Sequence, residues 1–388
     1  MAAGLRNVVV VGGSYVGVNT AKQLAAVLPV THRVLLVDPH SHFNHLFAFP
    51  RFAVLPDYEH KAFIPYTGVF AESPNKDHHA IIQAKVLSLK PEEITLDREW
   101  QGSKQVAFDY LVAATGTRLA APGTMPSNDK PDAVEYLRLY NQGIKNSNSV
   151  ILIGGGAVGV QMACDIKEIY PEKEVTLVHS RDHIMPVYNE KLSELIKERF
   201  RELGINFVGG SRGGTGEPIT ISLQDGRNLS AEFVVVATGQ TPNTHFLDGL
   251  KPSTEDSLIN PKNGFIRVKP TMQLADPAYP HLYAVGDVAD SGAHKAARPA
   301  GAQAIAAAKN IASMIAGQQP TEEIVVGPAA IHLTLGLTKN TIFRNPNSKE
   351  GITEPHINLK DDGAANMNIE RTWENRGVKV SDPKEYHL

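Results

Sequence analysis

Val8-Val9-Val10-Val11-Gly12-Gly13-Ser14-Tyr15-Val16-Gly17 opens the first folded segment of the chain. Val150-Ile151-Leu152-Ile153-Gly154-Gly155-Gly156-Ala157-Val158-Gly159 repeats its plan in mid-chain. Each is a continuous apolar run, as in a strand buried on both faces, that breaks into a glycine turn and then into helical periodicity. In such a turn the first glycine permits the tight bend and the second lets the backbone approach a pyrophosphate. The third lets helix and strand pack closely. Free N–H groups and the positive dipole end of the helix then face the phosphates. One such turn is weak evidence. Two, each leaving a strand and opening a helix, predict an enzyme that holds two dinucleotides face to face and passes electrons between them.

Working outward from the first turn, a helix is expected from about Gly17 to Leu28, stopped by Pro29. A second strand, Arg33 to Val37, ends at Asp38. That is about 20 residues past the turn, where a carboxylate accepts ribose hydroxyls. Gly12, Gly13, Ser14, Tyr15, Val16, Gly17 and Asp38 are therefore candidates for one nucleotide. Ser14 departs from the pattern: it narrows the second glycine position but can donate to a phosphate oxygen. The second site is assigned to Gly154, Gly156, Ala157, Val158 and Gly159. At the matching distance stand His179, Ser180 and Arg181 instead of a carboxylate. An acid there would repel a 2′-phosphate, whereas a histidine, a hydroxyl and an arginine would receive one. NADPH is the expected preference, with NADH tolerated.

The remaining segments fill out an α/β chain. Ala80 to Leu89, Glu93 to Asp97 and Gln105 to Phe108 read as an antiparallel meander. Tyr110 to Thr117 is a strand ending in a glycine turn. A short helix is expected near Asp132 to Asn141, and helices over Gly159 to Tyr170 and Leu192 to Leu203. Pro218 to Leu229 reads as a hairpin turning at Asp225-Gly226. Ala-Thr-Gly closes a strand twice, at Thr115-Gly116 and Thr238-Gly239, so the chain reads as a domain-scale duplication. His281 to Asp287 is a further buried strand, followed by an Ala-rich helix from Pro299 to Gly317. Short strands are expected at Ile324 to Gly327 and Ile331 to Leu335, then polar loops and Trp373, which either caps a pocket or simply packs. The expected organisation is two Rossmann-like domains, 1–120 with 243–322 and 121–242, plus a small α+β domain over 323–388.

Composition removes several classes. The formal net charge of -3 gives no basic field for nucleic acid or anionic membrane. The chain has one cysteine, Cys164, so neither an intrachain disulfide nor a redox-active cysteine pair is available. This fits a reducing, cytoplasmic setting. The N-terminus leaves no room for a signal peptide, Ala2 argues against myristoylation, and Tyr386-His387-Leu388 is a poor peroxisomal signal. No apolar stretch has the roughly 20 residues of a membrane helix. His40, His42 and His45 crowd together without an acidic partner at ligand spacing, so no metal is expected. The stretch 209–214 resembles a phosphate loop but lacks its Gly-Lys-[Ser/Thr], and a strand connection is expected there. Oligomeric state, monomer or homodimer, stays open.

Gly286-Asp287, at the end of a strand far from either glycine turn, resembles the second FAD motif of the two-dinucleotide-binding flavoproteins. With the two turns, it makes the chain resemble the apoptosis-inducing-factor-like branch of the pyridine nucleotide-disulfide oxidoreductase superfamily, which includes the ferroptosis suppressor proteins. The resemblance runs through Val8 to Gly17, His45 to Arg51, Lys61 to Tyr66, Ala113 to Gly116, Val150 to Gly159, Val175 to Arg181, Val236 to Gly239 and Tyr283 to Gly301. It implies a glutathione-reductase-like fold that binds FAD on the first domain and NAD(P)H on the second. It also implies hydride transfer to flavin N5 and a quinone as acceptor. Asp287 would bond the ribityl chain. Arg51 and Lys61 would belong to the FAD site, the Val86 backbone would bond adenine, and Lys295 would lie beside the isoalloxazine as the catalytic cation. The N-terminal lipid signal of the animal proteins is absent here, which puts membrane attachment in doubt; a mitochondrial or lipid-surface association stays open beside the cytoplasmic expectation. Two other functions remain open: an oxygen-using flavin oxidase or monooxygenase, and a redox-sensing cell-death interaction protein.

Overall fold

The computed structural model describes residues 4–210, 213–216, 220–223 and 226–388. Five parallel strands form the first sheet, in the spatial order Leu282–Ala284, Tyr110–Ala113, Arg6–Val11, His32–Asp38, Ala80–Gln83. The valine run lies at its centre: Val8, Val9 and Val10 are wholly buried. An unalternating apolar strand is what a sheet covered on both faces requires. The helix Tyr15–Val27 follows directly, and Leu28 turns extended ahead of Pro29. The Ala-rich helix Ala297–Ile315 packs against it, and Gly301 approaches Asn19 closely enough that a methyl group there would touch it. Leu282–Ala284 pairs with Tyr110–Ala113, so the chain returns to its first sheet after a long excursion.

That excursion builds a second sheet of four parallel strands, ordered Asn206–Val208, Glu174–Val178, Ser149–Ile153, Phe233–Val236. The helices Ala157–Ile169 and Glu190–Leu203 accompany it. The crossing between the halves is a two-stranded antiparallel ribbon, Thr117–Leu119 with Gln240–Pro242.

Several expected elements shift. Ala80 to Leu89 is two strands, not one. Ala80–Gln83 joins the edge of the first sheet beside His32–Asp38, and only Val86–Lys90 enters the meander, with Glu93–Trp100 and Ser103–Ala107. The helix expected near Asp132 runs the full length Lys130–Asn146. Thr220–Leu223 and Asn228–Ser230 pair antiparallel as the predicted hairpin, whose turn residue Asp225 lies outside the described residues. So do Ser211 and Arg212 of the glycine-rich stretch. No strand forms at Ile324 to Gly327. The C-terminal sheet is instead Ala330–Thr334, Lys339–Arg344 and His356–Asp361, two of them in what read as polar loops. Trp373, on the helix Ile369–Asn375, is buried and donates Nε1–H to the Lys61 carbonyl. Among the described residues no helix is long and apolar enough to cross a membrane.

Candidate active site

The two glycine turns are superposable in their logic. Gly12 has φ +105°, and a Cβ on it would stand 2.4 Å from the Ala114 carbonyl oxygen. Gly154 has φ +124°, and its Cβ would stand 2.3 Å from the Ala237 oxygen. Both carbonyls open the Ala-Thr-Gly strand ends, so each turn nests against its own copy of that motif. Gly17 and Gly159 press on the carbonyls of Gly12 and Gly154, where no side chain fits. Gly156, by contrast, faces open space. Ser14 caps the first helix by position only, because its hydroxyl makes no capping bond. It lines the cavity with a donor to spare. These features fit dinucleotides at both turns: strained glycines close the bend, and the phosphate-facing positions are left clear.

One cavity of about 2190 Å³ joins the two turns. Single-ligand pockets are typically about 300–1,000 Å³. Ser14, Tyr15 and Val16 wall one end; Gly154, Gly156, Ala157 and Val158 wall the other. Thr115-Gly116 and Thr238-Gly239 line it as well. Thr115 donates its hydroxyl to the Asn243 carbonyl at 2.7 Å, and Asn243 Nδ2 donates back to the Thr115 carbonyl at 2.9 Å. This reciprocal pair holds the crossing ribbon to the first strand end.

The residues expected at the adenosine 2′-phosphate divide. His179 Nδ1 accepts the Gly155 N–H at 3.1 Å, and burial lowers its pKa, with Arg181 adding to the effect. The ring is therefore neutral and props the turn. Its Nε2 is buried without a partner. Ser180 and Arg181 line the cavity from exposed positions, and Arg181 has no carboxylate partner among the described residues.

Asp38 ends its strand beneath the first turn, as expected, but its carboxylate is engaged. One oxygen accepts the Gly13 N–H; the other accepts the His40 N–H and faces the His40 ring, each at 2.8 Å. Tyr66 donates its hydroxyl to the Gly13 carbonyl at 3.0 Å. Beside them opens a smaller cavity of about 500 Å³, walled by His40, His42, Tyr66, Gln83 and, from the C-terminal segment, Trp373 and Val378. The three crowded histidines take separate partners: Asp38 for His40, Ser41 for His42, and the Tyr15 hydroxyl for His45. Burial, with Arg376 nearby, lowers the pKa of His45 to about 4.

Gly286 has φ +75° and brings the turn Gly286–Val288 against Val16. The Gln303 side chain accepts the Gly286 N–H at 2.7 Å. Asp287 lines the cavity and makes no hydrogen bond to described residues, and burial raises its pKa. An acceptor held so, facing the first turn, fits the hydroxyls of a ribityl chain. Lys295 also lines the cavity, but its ammonium group donates to the Ala289 carbonyl and lies 4.1 Å from the Phe265 ring centroid.

Two expected FAD side chains, Arg51 and Lys61, do not line the cavity, and Val86, whose backbone was expected at adenine, lies in the meander. Arg51 is wholly buried: Nε pairs with Asp165 at 2.7 Å, and its other nitrogens bond the carbonyls of Gly336 at 2.7 Å and Ala365 at 3.0 Å. Its guanidinium is committed to joining its own segment, the helix Ala157–Ile169 and the C-terminal segment. Lys61 pairs with Glu370 at 2.7 Å over the rings of Tyr58 and Tyr386. Val86 is buried opposite Leu96 in the meander. Cys164 is fully buried, and desolvation pushes its thiol pKa well up. Among the cavity residues that the sequence did not mark are Tyr188 and His294, whose side chains meet at 2.6 Å. They belong to no spaced motif, so only the folded chain brings them together.

Comparison with known proteins agrees with this geometry. The model of the family described as pyridine nucleotide-disulphide oxidoreductase matches residues 6–310. The Fe-regulated protein 8 of Mycosarcoma maydis is 34% identical over 401 aligned positions, covering 97% of this chain and 96% of that protein. Mouse ferroptosis suppressor protein 1 is 30% identical, covering 86% of this chain and 87% of its own length. The sulfide:quinone oxidoreductase of Aquifex aeolicus shares the fold with a TM-score of 0.74 at 19% identity, over 98% of this chain and 94% of that one. The chain belongs to the pyridine nucleotide-disulphide oxidoreductase family, whose members pair FAD with NAD(P)H, and its relatives place it on the apoptosis-inducing-factor-like side of that family.

Proposed function

We propose that the protein is an NAD(P)H:quinone oxidoreductase in which residues 1–120 and 243–322 hold FAD, residues 121–242 hold NAD(P)H, and 323–388 shape the acceptor side. The observation that carries this reading is the single cavity running from Ser14 to Gly156. Two dinucleotides seated on its two glycine turns would meet at its middle. FAD, when bound, takes two electrons from the reduced nicotinamide and releases them to an acceptor. Gly12, Ser14 and Val16 would receive its pyrophosphate, and Asp287 its ribityl hydroxyls. Lys295 would lend positive charge near its ring. Arg181 and Ser180 would favour NADPH by meeting its 2′-phosphate.

The only cysteine in the sequence is Cys164, buried on the second nucleotide helix. This supports a route in which electrons leave without a cysteine pair within the chain, directly to an acceptor that a flat quinone would fit. The name of one structural neighbour, a sulfide:quinone oxidoreductase, carries the same acceptor class. The test is rapid mixing of anaerobically reduced protein with a short-chain quinone or with air. Fast reoxidation by quinone and slow reoxidation by oxygen is the expected result. Fast reoxidation by oxygen alone would replace this reading with an oxidase.

A further inference from the structure

Tyr188 precedes the helix Glu190–Leu203 beside the second sheet, and His294 lies in the loop before the helix Ala297–Ile315 of the first. Their side chains cross between the halves. The Tyr188 oxygen is 2.6 Å from His294 Nε2, and the rings stand edge-on, 5.3 Å between centroids. The position of Tyr188 is over-determined. Its ring meets Phe343 of the C-terminal sheet edge-on at 6.1 Å. Its N–H donates to the Met185 carbonyl, Asn189 N–H donates to Asn345 Oδ1 at 2.8 Å, and Asn345 Nδ2 donates to the Val187 carbonyl at 2.9 Å. Both side chains line the large cavity, next to Lys295 and where three parts of the chain converge. No dinucleotide motif uses either one.

We propose that Tyr188 is the proton donor to the reduced acceptor and that His294 resupplies it. This rests on the quinone reading above. A quinone becomes a hydroquinone by gaining two electrons and two protons. NAD(P)H, through FAD, supplies the electrons with one proton, so the second must come from an acid: quinone + NAD(P)H + H⁺ gives hydroquinone + NAD(P)⁺. In this step the Tyr188 O–H bond breaks as a new O–H forms on the quinone oxygen. The Nε2 proton of His294 moves to the tyrosine oxygen, while Nδ1 of the half-buried ring takes one from solvent. Imidazolate never forms, and exchange with solvent restores the starting tautomer. Burial raises the Tyr188 pKa to about 12 and lowers that of His294, so at neutral pH the phenol keeps its proton beside a neutral ring.

The experiment compares wild type, Tyr188→Phe and His294→Asn, with acceptors that do and do not take up protons. Anaerobic reduction by NADPH should be unchanged in all three. Reoxidation by a quinone should slow about 100-fold or more in Tyr188→Phe, the usual weight of a general acid, and less in His294→Asn. Reoxidation by ferricyanide, which takes electrons without protons, should stay within about twofold. In ¹⁵N-histidine-labelled protein, the Nε2 resonance of His294 should report a hydrogen bond that Tyr188→Phe removes. Equal slowing with both acceptors, or no slowing with either, overturns the proposal while leaving the quinone reading intact. A wild-type protein that NADPH reduces but no quinone reoxidises overturns the quinone reading, and the proton donor falls with it.

Discussion

Arg51 and Asp165 form an ion pair with both side chains at 0% exposure, Nε to Oδ2 at 2.7 Å. The second carboxylate oxygen of Asp165 is left without a hydrogen-bond partner, and burial raises the pKa of this group to about 6 despite the guanidinium beside it. Removing one member of a fully buried pair strands the other charge, at a cost of about 3–5 kcal/mol. Arg51→Met should therefore lower unfolding stability by that order. The loss should be equal with and without FAD, because the side chain does not face the cavity. A loss confined to FAD-loaded protein in thermal melts would place Arg51 at the flavin after all.

Gly159 and Gly156 sit three residues apart in one turn and should respond oppositely to the same change. A Cβ at Gly159 would lie 2.0 Å from the Gly154 carbonyl oxygen, whereas at Gly156 nothing lies within 4 Å. Gly159→Ala should destabilise the protein by about 1–3 kcal/mol through overpacking. Gly156→Ala should leave the melting temperature near wild type but weaken NADPH binding, since the methyl group fills the room kept for phosphate. Calorimetry alongside nucleotide titration checks both.

Arg181 carries the prediction on nucleotide choice. A charge-assisted hydrogen bond to phosphate is worth about 1.5–3 kcal/mol. Arg181→Ala should therefore raise KM for NADPH about 10- to 100-fold while leaving KM for NADH nearly unchanged. Equal effects on both would remove the 2′-phosphate contact.

His45 predicts a pH dependence of stability. Its folded pKa of about 4 lies below the ordinary histidine value, owing to burial and then Arg376. Between those two values the unfolded chain binds a proton that the folded ring refuses. Stability from this group is complete above about pH 6.5 and is lost as pH falls towards 4. From pH 7 to 5 the loss is about 2 kcal/mol. In His45→Gln the fall in melting temperature over that range should be shallower by the corresponding amount. Parallel curves would contradict it.

Period and punctuation made most of the scaffold legible. The unbroken apolar runs at Val8 and Val150, each closed by a glycine at positive φ, read as central parallel strands and are so. Ala80 to Leu89 misled because the chain passes from one sheet to another at Ala84 and Lys85, and neither residue is a turn former that would mark the break. Lys339–Arg344 and His356–Asp361 escaped notice because the outer face of their sheet is exposed, so polar residues dilute the alternation. At the site, motif glycines were readable because backbone sterics dictate them. Arg51 and Lys61 could not be placed by chain position, because their partners Asp165 and Glu370 come from distant segments. The Tyr188–His294 contact spans more than a hundred residues and leaves no local trace.

The most direct test of the central claim is the visible spectrum of purified protein, titrated anaerobically with NADPH and then with a quinone. One cavity holding both dinucleotides predicts a flavin absorption band that bleaches with NADPH and returns with quinone. A protein that takes up no FAD when offered an excess, or whose flavin NADPH and NADH both leave oxidised, would contradict it.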